Sequence, residues 1–102
     1  MIKTKHTPGP WSINRAAATH VQDARERGIA ACGGYYSTDA KLAMADGEQE
    51  ANARLIAAAP ELLDALRGLL AARDSTTMGR ERELYEEWIP KARAAVAKAE
   101  GR

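Results

Sequence analysis

The sequence has little of what usually marks a secreted or membrane protein. Only one cysteine is present among 102 residues, so no disulfide can form within the chain, and a lone thiol suits the reducing cytosol. No apolar run approaches the roughly 20 residues that a membrane span needs, and no apolar signal segment opens the chain. We therefore expect a cytoplasmic protein with no membrane partner.

Neither sign of charge is in excess. The chain has 15 Lys and Arg against 14 Asp and Glu, for a net charge of +1 and a pI near 7.9. A dedicated duplex-DNA binder carries a strongly basic surface, which this composition does not supply. Nucleic acid is therefore not a favoured partner.

Large side chains are also scarce. Phenylalanine is absent and aromatic residues make up 5% of the chain, while apolar residues in total reach 45%. A chain of this length supports one domain, and its core must come from Leu, Ile, Val and close contacts between alanines. Small cores of this kind often gain stability by self-association, so the sequence leaves a monomer and a homodimer open.

The first third of the chain has the pattern of a small sheet. Residues 1–10 are rich in proline, glycine and lysine, which predicts a flexible lead-in. Apolar and polar residues then alternate over 11–14, and short β-branched or apolar stretches follow at 19–23 and 29–32. These features predict an antiparallel meander of two or three strands over 11–34.

Two helical patterns follow, on either side of Pro60. A proline fits the first turn of a helix, where its missing N–H costs nothing, so we predict helices over 47–59 and 60–73. The apolar residues at helical spacing are expected to form the buried faces. They are Ala51, Leu55, Ile56, Ala58 and Ala59 in the first helix, and Leu62, Leu63, Leu66, Leu69 and Leu70 in the second.

The start of the first helix has two interpretations. Asp46 as N-cap with Gln49 three residues later would form a capping box, which we favour. Alternatively, a single helix runs from the preceding segment through Gly47, at a cost of about 1 kcal/mol relative to alanine.

A charged helix is predicted over 78–99, after a polar connector. Pro90 cannot donate its helical hydrogen bond, so we expect a kink or a break there. One side is apolar, and it is expected to pack against the first two helices or against a second subunit. Its members are Leu84, Trp88, Ala92, Ala95, Val96 and Ala99. The whole chain, residues 1–102, is thus predicted to be one α+β domain whose meander packs against two or three helices.

Residues suited to catalysis or metal binding are few. His6, His20 and Cys32 are the only conventional ligands for a soft metal, and none has zinc-site spacing. Cys32, His20 and Asp23 could in principle supply a nucleophile, a base and an orienting group, but all come from one short meander without an obvious pocket. We expect no metal, no cofactor and no enzymatic activity.

Binding is better supported than catalysis. Tyr35 and Tyr36 cannot both point inward from an extended segment, and exposed tyrosine is typical of interaction surfaces. Tyr85 and Trp88 adjoin the apolar side of the last helix, where intramolecular packing is the first interpretation and an interface the second. Arg54, on the first helix, could contact a ligand. These five residues are the predicted binding residues.

Two segments carry a resemblance to a known group of proteins. They are Lys5-His6-Thr7-Pro8-Gly9-Pro10-Trp11 and Ala51-Asn52-Ala53-Arg54-Leu55-Ile56-Ala57-Ala58-Ala59-Pro60-Glu61-Leu62-Leu63. On them the chain resembles a widespread group of small phage and prophage proteins with an HTPGPW opening and a central ANARLIAAAPxLL segment. The resemblance covers residues 5–70, and the tail from Asp74 onwards is outside it.

The resemblance implies an origin and not a mechanism. Small phage accessory proteins commonly act by binding host factors, defence systems included. The expected function is therefore non-catalytic binding of a host protein in the host cytoplasm, as an antagonist of a bacterial defence component, for example an anti-CRISPR-like inhibitor. The alternative is a sponge that sequesters a nucleotide signal at a dimer interface, using Arg54, Tyr35 or Tyr36, and basic residues of the last helix. A nucleic-acid-binding regulator ranks third.

Overall fold

A three-stranded antiparallel sheet precedes three helices, which confirms the predicted α+β class. The computed structural model describes residues 5–32, 47–75 and 77–102. In these ranges the strands are β1 (Ser12–Ile13), β2 (His20–Gln22) and β3 (Gly28–Ala31). The helices are α1 (Glu48–Ala57), α2 (Ala59–Arg73) and α3 (Met78–Glu100).

The sheet is a simple meander with β2 in the middle. Ile13 of β1 lies opposite Val21, which in turn lies opposite Ala30 of β3. An irregularity between Val21 and Gln22 shifts the register, so that Gln22 pairs with Gly28. Val21 is completely buried and is therefore the centre of the sheet's inner face.

The turn between β2 and β3 is organised by Asp23. Its Oδ1 accepts hydrogen bonds from the backbone N–H groups of Arg25 and Arg27, both at 2.9 Å, and its Oδ2 accepts one from Arg27 Nε at 2.7 Å. The backbone N–H of Arg27, above all, holds the pKa of the Asp23 carboxyl below its ordinary value. Glu26, rather than a glycine, takes the left-handed conformation in this turn, with φ of 65°.

α1 lies across the sheet through its small residues. Ala53 and Ala57 form a buried cluster with Val21, while Ile56 packs partly buried beside it. The buried face predicted for this helix is wrong at Ala51 and Leu55, which are exposed. Alanine lets the helix approach the sheet more closely than leucine would, so the helix turns its alanines inward.

α1 starts at a glycine rather than at a side-chain cap. Its N-cap is Gly47, with φ of 82°, and no side chain caps the helix. The predicted capping box is therefore wrong, and Asp46 lies outside the described residues. The left-handed conformation at Gly47 also excludes a helix that continues through this position, because such a helix needs negative φ throughout.

α2 follows α1 after one residue, with Pro60 in its first turn as predicted. Its buried positions are Pro60, Ala65, Gly68 and Ala72. The predicted leucine stripe is wrong at Leu66 and Leu70, which are exposed, whereas the other three leucines are half-buried. The reason is Trp88 of α3. A Cβ placed on Gly68 would lie 2.0 Å from Trp88 Cδ2, so the indole ring fills the space left by the missing side chain.

α3 packs along both α1 and α2 and is unbroken from Met78 to Glu100. Of the two alternatives predicted at Pro90, a kink or a break, the break does not occur. Pro90 is exposed, and the loss of a single hydrogen bond on the solvent side does not end a helix of 23 residues whose other side is packed against two neighbours. Within the described residues, the buried apolar side chains are Val21, Pro60 and six alanines.

Candidate protein-binding surfaces

The first of the two sequence motifs packs against the second. Gly9 lies on Pro60, so closely that a Cβ on Gly9 would be 2.7 Å from Pro60 Cβ. Trp11 Nε1 donates a hydrogen bond to the Thr7 carbonyl at 3.2 Å, and the indole packs at the edge of the core cluster. The segment before β1 is thus seated on the start of α2, although residues 5–10 contain no helix or strand.

Lys98 of α3 stabilises this contact between the segment before β1 and the start of α2. Its Nζ donates to the Trp11 carbonyl at 2.9 Å and to Glu61 Oε1 at 2.8 Å. Both charged side chains are about one-third exposed, at 36% and 35%. Three parts of the chain therefore meet at one ammonium group: the residues before the sheet, the first turn of α2 and the last turns of α3.

Arg54 packs against the end of α3. Its guanidinium lies over Gly101, where a Cβ would be 2.6 Å from Arg54 Nε. Gly101 has φ of 75° and caps α3, and its N–H bonds to the Lys98 carbonyl at 3.2 Å. Arg54 Nε is buried and finds no hydrogen-bond partner in the described part of the chain. The side chain is thus held against the C-terminal end of α3, where helix carbonyls favour positive charge.

The outer side of α2 carries a row of leucines, which we call the leucine ridge: Leu62, Leu66 and Leu70. They recur every four residues and so lie along one side of the helix. Leu66 is 57% exposed and Leu70 46%, whereas Leu62 is half-buried. The ridge results from the packing of α2, because a helix that turns Ala65, Gly68 and Ala72 towards its neighbours directs these leucines to solvent.

Positive charge borders the leucine ridge. Arg67 and Arg73 are exposed and lie three residues before and three residues after Leu70, while the exposed Asp74 lies four residues after it. Asp64 is also exposed but is rotated further around the helix, away from Leu70. The ridge therefore combines apolar side chains with a border in which two arginines outnumber one aspartate.

A second apolar surface runs along α3 and is separate from the ridge. We call it the α3 face: Met78, Tyr85, Ile89 and Val96. Met78 is 86% exposed, Val96 44% and Ile89 39%. Two hollows lie along this face. The first extends from Ile89 towards the start of α3, and the second extends from Ile89 towards its end. Glu81 and Glu86 outnumber Arg82 in the first hollow, while Arg93 and Arg102 line the second.

The predicted binding residues are distributed over different parts of the structure. Tyr85 lines the first hollow of the α3 face. Trp88 is turned towards Gly68 of α2, and the Lys91 ammonium lies 4.5 Å from its ring centroid. Arg54 touches Gly101, which is 16 residues, or about 24 Å of helix, from Tyr85. Tyr35 and Tyr36 lie outside the described residues.

The leucine ridge was missed because apolarity was equated with burial. The signal that could have found it is the spacing of small residues, Ala65, Gly68 and Ala72, which is typical of a helix face that approaches another helix closely. With that face inward, Leu66 and Leu70 must be at the surface.

Metal sites and membrane spans do not occur in the described ranges. No group of three or more histidine, cysteine or acidic side chains is placed to hold a metal ion across residues 5–32, 47–75 and 77–102. Among the helices of the same ranges, none has the length and hydropathy to cross a membrane.

The fold and its exposed surfaces define a small α+β protein in which helices α2 and α3 present apolar side chains. A family model described as Salmonella phage P22 protein Y8K6 matches residues 1–102, and the chain belongs to that family of phage proteins. No curated protein matches it. No solved structure matches it either.

Proposed function

We propose that this phage protein acts by binding a host protein, without catalysis, and that it antagonises a component of bacterial defence. The observation that supports this most directly is the leucine ridge. Leu66 and Leu70 are two large apolar side chains on the outside of a protein whose fully buried apolar residues, over the described ranges, are almost all alanine. A chain that buries so little and exposes two neighbouring leucines is suited to an interface.

The chemistry of the ridge indicates the kind of partner. Leucines spaced four residues apart on a helix suit an apolar groove on another protein. Arg67 and Arg73 outnumber Asp74 beside the ridge and so favour a groove with an acidic border, because complementary charge speeds association and selects the partner. The host target is thus expected to present an apolar groove with acidic side chains at its edge.

Capture from host lysate followed by reconstitution with the purified target tests the proposal. The variant Leu66→Ala/Leu70→Ala removes the two exposed leucines of the ridge and keeps good helix formers at both positions. We expect its affinity for the target to fall at least about tenfold, or ~1.4 kcal/mol. Leu55→Ala is the matched control, since Leu55 is 54% exposed but lies on α1.

A biological assay completes the test. The protein is expressed in a host that carries the relevant defence system, and the plating efficiency of a sensitive phage is measured. The wild type and Leu55→Ala should restore plating, and the ridge variant should not. If the ridge variant binds the target and protects phage as well as the wild type does, the proposal is wrong.

A further inference from the structure

α3 has two halves of opposite charge. Residues 80–87 contain four glutamates and two arginines, for a net charge of −2. Residues 91–100 contain three Lys or Arg and one glutamate, for a net charge of +2. A helix that is acidic in one half and basic in the other is complementary to a reversed copy of itself.

The apolar residues of α3 are also arranged symmetrically about the middle of the helix. Ile89 is the middle residue of Met78–Glu100, with eleven helical residues on each side. The two hollows of the α3 face meet at Ile89, so one side chain borders both. A two-fold axis through this position would superimpose the acidic hollow of one copy on the basic hollow of the other.

We propose that two copies of this chain pair through their α3 faces, with the helices antiparallel and the two-fold axis close to Ile89. The two Ile89 side chains then meet at the centre. Each Tyr85 lies four residues before the axis, so it faces Arg93 of the second copy, four residues after it. Glu86, on the same copy as that Tyr85, is the acidic residue nearest to Arg93 of the second copy.

The dimer places exposed apolar side chains against each other. Val96 of each copy reaches the first half of the other α3 face, near Arg82 and Tyr85. Met78, which is 86% exposed, lies opposite the last turn of the other helix. An interface with two-fold symmetry requires one surface that is complementary to itself, and the charges and the apolar spacing of α3 both meet this requirement.

The dimer is independent of the proposed host interface. The leucine ridge is on the outer side of α2, whereas the pairing uses α3, so both surfaces can be occupied at once. Failure of one proposal therefore does not affect the other. A host protein seated on the α3 face in place of a second copy is an outcome that would overturn the dimer proposal.

The molar mass in solution is the first test. Light scattering and sedimentation equilibrium should give twice the 11.0 kDa of the chain. Ile89→Glu brings two carboxylates together at the axis and should raise the dimer dissociation constant at least about tenfold. Leu55→Glu, an equally drastic change at another exposed position, should leave the dimer intact. A monomeric wild type, or a dimer unaffected by Ile89→Glu, overturns the proposal.

Charge exchange tests the antiparallel arrangement. Glu86→Arg alone places two arginines opposite each other at both symmetry-related contacts, and Arg93→Glu alone places two glutamates there. Each variant should dimerise more weakly than the wild type. An equimolar mixture of the two should recover a heterodimer, because every contact is then between opposite charges. Circular dichroism of each variant establishes that the fold is unchanged, and no recovery on mixing would show that the helices do not pair in this way.

Discussion

Replacing Gly68 with alanine should loosen the packing between α2 and α3. In a helix interior this change normally stabilises a protein, by about 1 kcal/mol. Here the new methyl group would lie 2.0, 2.3 and 2.4 Å from three atoms of the Trp88 ring. Ordinary carbon contacts are near 3.5–4.0 Å, so the ring or the whole helix must move by more than about 1 Å.

The magnitude follows from two opposing effects. Overpacking of this kind costs about 1–3 kcal/mol, and this contact belongs at the upper end because three ring atoms overlap the methyl group. The gain in helix propensity, about 1 kcal/mol, offsets part of it. We expect a net loss of about 2 kcal/mol in the free energy of unfolding, which is a large share of the roughly 5–15 kcal/mol typical of a domain.

Urea unfolding followed by far-UV circular dichroism and tryptophan fluorescence measures this loss. With a urea m-value of about 2 kcal/mol/M, the midpoint should fall by about 1 M. Gly79→Ala is the matched control. Gly79 is also helical, in the first turn of α3, but a methyl group added there would have no atom within 4 Å apart from its chain neighbours and the nearby helix backbone. That variant should be unchanged or slightly more stable.

A double mutant identifies the cause. In a Trp88→Ala background the space beside Gly68 is open, so Gly68→Ala should there stabilise the protein. If Gly68→Ala is as harmless as Gly79→Ala in the wild-type background, Trp88 does not pack on Gly68 and the orientation of the leucine ridge is wrong.

Four further predictions concern other parts of the molecule. Gly101→Ala should lower stability by about 1–2 kcal/mol, because alanine is strained at positive φ and its methyl would contact Arg54; thermal unfolding measures it. Lys98→Met removes both hydrogen bonds of the ammonium but keeps the aliphatic stem, and it should cost about 1 kcal/mol in urea unfolding. The lowered pKa of Asp23 means that its ionised form stabilises the fold above the ordinary carboxyl pKa of about 4, and that this contribution is lost as the pH falls through the lower folded pKa. The urea midpoint of Asp23→Asn should therefore depend less on pH in this acidic range than that of the wild type. Nucleotides should leave the melting temperature unchanged, whereas a nucleotide sponge would gain about 2.7 kcal/mol at a ligand concentration of 100 Kd.

The sequence predicted which segments form strands and helices, but not which sides of the helices are buried. The start of α2 near Pro60 follows from the sequence directly, because proline has a strong local preference for the first turn. The orientation of α2 depends on a contact with Trp88, 20 residues from Gly68, and the spacing of the small residues on α2 is its only local sign. In the sequence, the small residues at a helix crossing have low hydrophobicity, as residues at the margin of the buried side do. In the structure of α2 they form the centre of that side.

The sequence predicts only part of the candidate surfaces. The sequence predicts Tyr85 as a binding residue from its place at the edge of an apolar stripe, and Tyr85 lines a hollow of the α3 face. The charge difference between the halves of α3 is visible in the sequence, but its relation to Ile89 requires the ends of the helix to be known. The contact between Gly9 and Pro60 joins two motifs that nothing in their spacing connects.

The hydrogen bond from Lys98 also has a consequence for folding during protein synthesis. Its partner, the Trp11 carbonyl, lies 87 residues earlier in the chain. At the roughly 5–20 residues per second of protein synthesis, a ribosome needs about 4–17 s to travel that distance. During this interval the opening segment has no lysine to hold its carbonyl on α2. The hydrogen bond between the opening segment and α3 therefore forms only after the last turns of α3 have been made, and a nascent chain that ends before Lys98 should be cut more readily by proteases near Trp11 than the full chain.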